Sequence, residues 1–268
     1  MTLRGSLHRG LRGPLRARLR HIQARAPWTA VGRRPGPPDY VGVGVQRCGT
    51  SWWQSLIEQH PDVASLGLGA KELHFFDSFW AREVGTEDIE RYCAHFLRRP
   101  GYCVGEWTPR YLYDPWAVPA LLRAAPQARL LVLLRDPVQR FQSGLRHAAQ
   151  RTGTLSADDV TAAFGRGLYG AQLGRLLEHV PRRQVLVLQF ERCCRDTPAM
   201  LAETFDFLSL EPAEVAAQVS VNASSVQLEI ARSVAAEVRE RYVDDVKELA
   251  ALFPDRIDLS LWPNFCSL

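Results

Sequence analysis

The sequence predicts an α/β protein with a P-loop-like central parallel sheet flanked by helices. Three observations lead there. Short apolar, β-branched runs alternate with segments whose apolar residues recur every three or four positions, the rhythm of βαβ units. The run RLLVLL at 129–134 is almost continuously apolar, as expected of a strand covered on both faces of a parallel sheet. At 40–60, YVGVGVQRCGTSWWQSLIEQH passes from an apolar run through a glycine-containing turn into an apolar set with helical spacing. A strand, a tight turn and a helix in that order aim backbone N–H groups and a helix N-terminus at a phosphate.

Taken in order, residues 1–38 read as a basic arm and Pro-rich linker, and 39–268 as the folded domain. In the arm, Leu3, Leu7, Leu11, Leu15, Leu19 and Ile22 recur at helical spacing. That pattern would suit an amphipathic helix on an anionic membrane. Gly5, Gly10, Gly13 and Pro14 interrupt it, which favours a partly disordered extension. Pro35-Gly36-Pro37-Pro38 then reads as a stiff linker. Residues 40–45 form the first strand, 63–66 a short second one, and 71–80 an aromatic-rich loop or short element. Ile89, Tyr92, Cys93 and Phe96 give 86–97 a helical period. Strands follow at 102–106, 129–134 and 184–190, with helices at 116–124, 141–150, 160–163, 169–179 and 198–208. Residues 233–253 are strongly helical in period, through Val234, Val238, Tyr242, Val246, Leu249 and Leu252. From 255 to 268 an irregular tail is expected, and no internal repeat is present.

With 268 residues and 46% hydrophobic content the chain can bury a full core. The net charge of +4 belongs to the arm. No acidic residue precedes Asp39, while Arg4, Arg9, Arg12, Arg16, Arg18, Arg20, Arg25, Arg33 and Arg34 do. Without these nine, 24 basic residues face 29 acidic ones, a net of −5. A nucleic-acid-binding face on the domain is therefore excluded from the expectations. No run approaches the roughly 20 apolar residues that cross a bilayer, and no signal-peptide pattern opens the chain. The six cysteines, Cys48, Cys93, Cys103, Cys193, Cys194 and Cys266, form no zinc-like pairs. Together these features imply reduced thiols and a cytoplasmic protein, with peripheral membrane contact through residues 1–38 as the further option.

The turn departs from a Walker A loop at one position. Gly44, Gly49 and Ser51 meet G-x-x-x-x-G-K-[ST], while Thr50 stands where the lysine belongs. An NTPase uses that lysine on the β- and γ-phosphates, so a P-loop-related nucleotide or small-molecule kinase is the second reading. A cation is present inside the loop at Arg47, which suits a donor with a single 5′-phosphate. A third reading, a non-catalytic membrane-associated adaptor, would use the arm alone.

The segment GVQRCGTSWW resembles the 5′-phosphosulfate loop of the PAPS-dependent sulfotransferases, where lysine usually stands in place of Arg47. Four further segments match in order: KELHFFD at 71–77, GEWTPRYLYDP at 105–115, LLVLLRDPVQRFQSGLRH at 130–147 and VLVLQFERCCRDTPAMLAETFDFLSL at 185–210. KELHFFD is closer to the heparan-sulfate branch than to the cytosolic phenol and steroid branch, although the Golgi members of that branch are membrane-anchored as a family. The resemblance implies transfer of a sulfuryl group from PAPS to a hydroxyl, or less favourably an amine, on a carbohydrate, glycolipid or small natural product, releasing PAP. It implies Glu72 as catalytic base, with His74 orienting it or contacting the acceptor. An extended 71–77 segment would put Glu72 and His74 on one face with Phe76, and Lys71 and Asp77 in other directions. Arg47 and the N–H groups of Gly49, Thr50 and Ser51 would stabilise the leaving phosphate. Arginine keeps the family's charge at Arg47 but does not serve as a proton donor in the way an ammonium can. Cys48 fills the turn, and Trp52 holds the position of a tryptophan that packs on adenine in the cytosolic branch, with core packing as the other reading. Arg135 and Ser143 match the family's 3′-phosphate motif, Arg135 ending the clearest strand and Ser143 in the turn or first turn of the following helix, at the carboxyl edge of the sheet. Trp107 replaces a lysine usual in the heparan-sulfate branch, which implies weaker recognition of polyanionic sugars and an indole offered to a sugar face or aromatic acceptor. The family's basic, nucleotide-closing loop has no counterpart around 219–226, where the chain reads VNASSV. No metal is expected, and the oligomeric state is not legible.

Overall fold

The computed structural model describes residues 34–66, 72–216 and 228–268. The arm to residue 33, Lys71 and the VNASSV stretch lie outside the described residues. The five expected strands form one sheet, each parallel to its neighbours.

The first ordered piece is β1 (Arg34–Pro35). Next come β2 (Tyr40–Gly44), helix α1 (Thr50–Ile57) and β3 (Val63–Ala64). A 3₁₀ segment at Phe75–Ala81 and helix α2 (Thr86–Cys93) precede β4 (Leu97–Arg98) and β5 (Cys103–Trp107). Helix α3 (Ala117–Ala124) leads into β6 (Arg129–Leu134), and helices α4 (Pro137–Thr152), α5 (Ala157–Gly165) and α6 (Tyr169–Leu177) into β7 (Val185–Gln189). Helices α7 (Phe190–Arg195), α8 (Thr197–Phe207) and α9 (Arg232–Leu252) complete the chain.

The sheet order is β3-β5-β2-β6-β7. From β2 the chain turns first to β3 and β5 on one side, and later to β6 and β7 on the other. The carboxyl ends of β2 and β6 therefore flank the point where the winding reverses, the place where open α/β sheets bind ligands. All five residues of β2, β5 and β7 are buried, and all of β6 except Arg129. Helix α1 packs Trp52, Trp53, Leu56 and Ile57 into the same core. Close strand contact decides one glycine: a Cβ on Gly42 would lie 1.9 Å from the Trp107 ring.

Several boundaries differ from the sequence reading. Helix α2 ends at Cys93 rather than 97, because Leu97 and Arg98 pair antiparallel with Pro35 and Arg34. Arg98 also donates to the Pro37 carbonyl and the Asp39 carboxylate. Residues 34–38 are thus tied to the domain rather than forming a free linker. Helix α4 starts four residues before the expected 141, since Asp136 caps it, accepting from Val138 N at 2.9 Å and Gln139 N at 3.1 Å, with Pro137 at the favoured first position. The tail beyond 255 is irregular in backbone but not loose: Trp262 and Phe265 are fully buried. Among the described residues no helix is long and apolar enough to cross a membrane.

Candidate active site

Strand β2 delivers the chain into the loop at 45–49, and Val45 N is held by the Leu133 carbonyl of β6 at 3.1 Å. Arg47 and Gly49 take left-handed backbone conformations, φ 72° and 89°. At Gly49 that conformation coincides with a close approach, for a Cβ would sit 2.6 Å from Phe190. Gly49 is the N-cap of α1 and offers no side-chain acceptor. The first N–H groups of an α-helix have no partner within the helix, so those of Thr50 and Ser51 and the positive end of the helix dipole face the loop's concavity.

Arg47 reaches across the switch point and its Nε donates to Ser143 Oγ at 3.3 Å. Ser143 stands in the second turn of α4, beyond the turn or first turn expected for it. Burial first, then the charges of Arg140 and Arg135, push the Arg47 pKa down from its ordinary value. Three guanidinium groups crowd together here, a potential that a multiply charged anion relieves. Arg140 is fully committed to the fold, donating to the Gln46 carbonyl at 3.0 Å and to the Ala163 carbonyl. Arg135 is not. Its Nη2 donates to Gln139 Oε1 at 3.0 Å and its guanidinium lies 5.2 Å from the Phe190 ring centre. Its Nε is buried and, among the described residues, has no hydrogen-bond partner, which leaves a charged donor poised for a ligand.

Cys48 is fully buried, with Sγ 3.6 Å from the Tyr169 hydroxyl. Burial pushes its thiol up to about 11, so it fills the turn and is not a nucleophile. Trp52, only 6% exposed, packs edge-on against Trp53 and Phe190 at 5.3 and 6.0 Å. That position is a core position.

Glu72 and His74 come together, although His74 takes a left-handed conformation, φ 51°, and not the extended one expected. His74 Nε2 lies 2.9 Å from Glu72 Oε2. Phe76 does not share their face, because the backbone turns into the 3₁₀ segment and buries it. Asp77, expected to point elsewhere, returns to His74 Nδ1 at 2.8 Å. The imidazole therefore bridges two carboxylates, and the Arg110 Nε stands 3.7 Å from Asp77. Three successive N–H groups hang this loop on the end of β5: Leu73 N on Glu106 Oε2 at 3.3 Å, His74 N on Thr108 Oγ1 at 3.3 Å, and Phe75 N on the Tyr111 hydroxyl at 2.9 Å. Glu106 is fully buried, and burial pushes its pKa up against the donors that surround it.

Glu72 shares an open cleft with Thr50, Ser51, Gln54, Ser55, Glu58 and Trp107. Trp107 does not offer an indole face there. It is 2% exposed, lies over Gly42 and donates through Nε1 to the Gly44 carbonyl at 3.1 Å. Trp107 thus packs beneath the phosphate loop, at the end of β2. Sequence reasoning turned Asp77 away from the site and passed over Glu106, Thr108 and Phe190. Among the described residues no group of His, Cys, Asp and Glu could hold a metal ion.

Residues 38–214 match the sequence model of the family described as "Sulfotransferase family". The chain belongs to the sulfotransferase family. The match takes in every residue placed above in the phosphate loop, the Glu72 loop and the end of β6. The chain is 29% identical over 207 residues to a protein of Mus musculus named heparan sulfate glucosamine 3-O-sulfotransferase 6, covering 71% of this chain and 58% of that protein. It is 31% identical over 117 residues to the membrane-associated sulfotransferase kil1 of Dictyostelium discoideum, covering 42% of this chain and 23% of the relative. The chain thus spans under two thirds of the length of these sulfotransferases. A solved sulfotransferase from Alicyclobacillus acidocaldarius superposes with a TM-score of 0.68 at 29% identity, over 85% of this chain and 99% of that one.

Proposed function

We propose that this chain transfers a sulfuryl group from PAPS to a hydroxyl of a carbohydrate, glycolipid or small natural product. One observation carries the reading. Glu72 opens onto the same cleft as Thr50 and Ser51, while Arg47 of the same loop meets Ser143 at 3.3 Å. A carboxylate, a phosphate loop and a second anion-binding arm thus surround the switch point. The buried, unpartnered Nε of Arg135 and the crowding of Arg47 with Arg135 fit a nucleotide with two separate phosphate ends.

PAPS when bound supplies the sulfuryl group on its 5′-phosphate and a 3′-phosphate as handle. Glu72 takes the acceptor proton as the new S–O bond forms and the S–O bond to the 5′-phosphate breaks. His74, braced by Asp77, holds the carboxylate in place. Arg47 and the N–H groups of Gly49, Thr50 and Ser51 stabilise the charge left on the departing phosphate. Arg135 and Ser143 grip the 3′-phosphate.

The kinase reading finds less support. Thr50 stands at the lysine position, and the Asp136 carboxylate, the nearest equivalent of a Walker B acid, is fully buried and filled by N–H donors. The test is calorimetric titration of Arg135→Ala with PAP and with adenosine 5′-phosphate. Two lost charge-assisted hydrogen bonds, about 1.5–3 kcal/mol each, are expected to weaken PAP by roughly 10²-fold or more and to spare the monophosphate. Equal losses refute the 3′-phosphate role.

A further inference from the structure

The peptide unit joining Arg135 to Asp136 is pinned at both ends. Its carbonyl oxygen accepts the Tyr169 hydroxyl at 3.0 Å, and its N–H donates to Glu191 Oε1 at 2.9 Å. The other oxygen of Glu191 accepts from the Trp262 indole N–H at 2.9 Å. One residue further, Asp136 receives Asn264 N at 3.1 Å and Asn264 Nδ2 at 2.9 Å, besides the two helix N–H groups it caps. The C-terminal segment is itself fixed to the end of β7. The Gln189 amide donates to the Asp258 carbonyl and accepts from Asp258 N, both at 3.0 Å.

The Asp136 cap accounts for only part of this. Val138 N and Gln139 N both go to Oδ1, Asn264 N and Nδ2 supply the other oxygen of the buried carboxylate, and the bonds from Tyr169 and to Glu191 lie on the peptide, outside the cap. The Tyr169 and Glu191 bonds hold the peptide that follows Arg135, and those of Asn264 hold the side chain of Asp136 beside it, so together they fix the backbone from which the Arg135 side chain leaves the end of β6. The guanidinium is then held between Gln139 and the ring of Phe190, the residue preceding Glu191. Bidentate recognition of a phosphate depends on the direction of the arginine fork, and an error near 1 Å removes much of its value.

We infer that Glu191, Trp262 and Asn264 are positioning residues for the 3′-phosphate, so that the C-terminal segment sets nucleotide specificity from beneath the site. This rests on the role proposed above for Arg135. None of the three residues touches the cleft that holds Glu72, so their effect is confined to the donor.

The test uses the full chain, with Trp262→Phe, which keeps a buried ring and removes the N–H, and Asn264→Ala at a half-buried position. Affinities for PAP and adenosine 5′-phosphate are measured by calorimetry, and kcat and KM for PAPS at saturating acceptor. Each variant is expected to weaken PAP about tenfold, the value of roughly one hydrogen bond to a charged group, and to raise KM for PAPS alike. Adenosine 5′-phosphate affinity and kcat stay within about twofold on this account. Equal weakening of both nucleotides, or a fall in kcat with KM unchanged, overturns the inference, and Asn264→Ala decides should Trp262→Phe fail to fold. A wild-type protein that binds the two nucleotides equally refutes instead the role of Arg135 itself, a separate and recognisable outcome.

Discussion

Replacing Glu72 with glutamine isolates the proton-transfer step. The substitution keeps the side-chain shape, and its amide oxygen can still accept from His74 Nε2, which lies 2.9 Å away in the wild type. The loop stays hung on Glu106, Thr108 and Tyr111 through backbone donors that the change does not touch. What is lost is a group able to take a proton. General-base catalysis contributes roughly 10²–10⁴-fold, about 3–5 kcal/mol of barrier. Because Glu72 is bridged by an imidazole that Asp77 holds at 2.8 Å, its orientation adds to that value, and the loss is expected in the upper half of the range. The assay is sulfuryl transfer from labelled PAPS at saturating donor, paired with PAP calorimetry. The reasoning predicts kcat down by about 10³-fold or more with PAP affinity within threefold. A kcat within threefold of wild type refutes Glu72 as base. A parallel loss of PAP affinity assigns it to binding instead.

The remaining tests address the loop and its supports. Gly49→Ala meets both a φ of 89° and Phe190 at 2.6 Å, so chemical denaturation is expected to show a loss of about 1–3 kcal/mol and calorimetry a loss of PAP binding; a stable, PAP-binding variant refutes the loop geometry. Cys48, fully buried with its thiol raised to about 11, stays un-ionised at pH 8, and mass spectrometry after iodoacetamide is expected to find the exposed Cys266 labelled while Cys48 is spared; early labelling of Cys48 refutes that placement. Burial raises the folded pKa of Glu106 above its ordinary 4.5. The folded state then binds more protons than the unfolded one above pH 4.5, so this group costs stability as pH rises from there to its folded pKa. The urea midpoint of wild type is expected to fall from pH 4.5 toward neutrality by more than that of Glu106→Gln, and parallel curves refute the assignment.

The sheet was legible because its strands are buried on both faces and carry their apolar residues without interruption, as at Arg129–Leu134. The phosphate loop was legible because its chemistry is local: Arg47, Gly49 and the head of α1 lie within a few residues of each other. What escaped was set by distant partners. Helix α2 stops at Cys93 because Arg34 and Pro35, some sixty positions away, offer a strand pairing to Leu97 and Arg98. Trp107 reads as a ligand-facing indole until its contact with Gly42, on the neighbouring strand, is known. Asp77 appeared to diverge from Glu72 under the period of an extended chain, and the 3₁₀ turn that starts at Phe75 brings it back. The tail carried no period at all, since Trp262 and Phe265 are buried by position rather than by pattern.

The two halves of the site are supported by different parts of the fold, and that separation bears on how the activity is divided. The Glu72 loop hangs on Glu106, Thr108 and Tyr111 at the end of β5, on one side of β2. Arg135 and Ser143 hang on β6 and α4, on the other side, braced by α6, α7 and the C-terminal segment. The loop after β2 and the head of α1 serve both: Thr50 and Ser51 line the cleft with Glu72, and Arg47 meets Ser143. On the proposed function, changes on the β5 side are expected to alter the acceptor and its deprotonation, and changes on the β6 side the donor's grip. Arg47 stands where the two meet. On the proposed function it is the residue at which donor binding and leaving-group departure are coupled, its guanidinium held against Ser143.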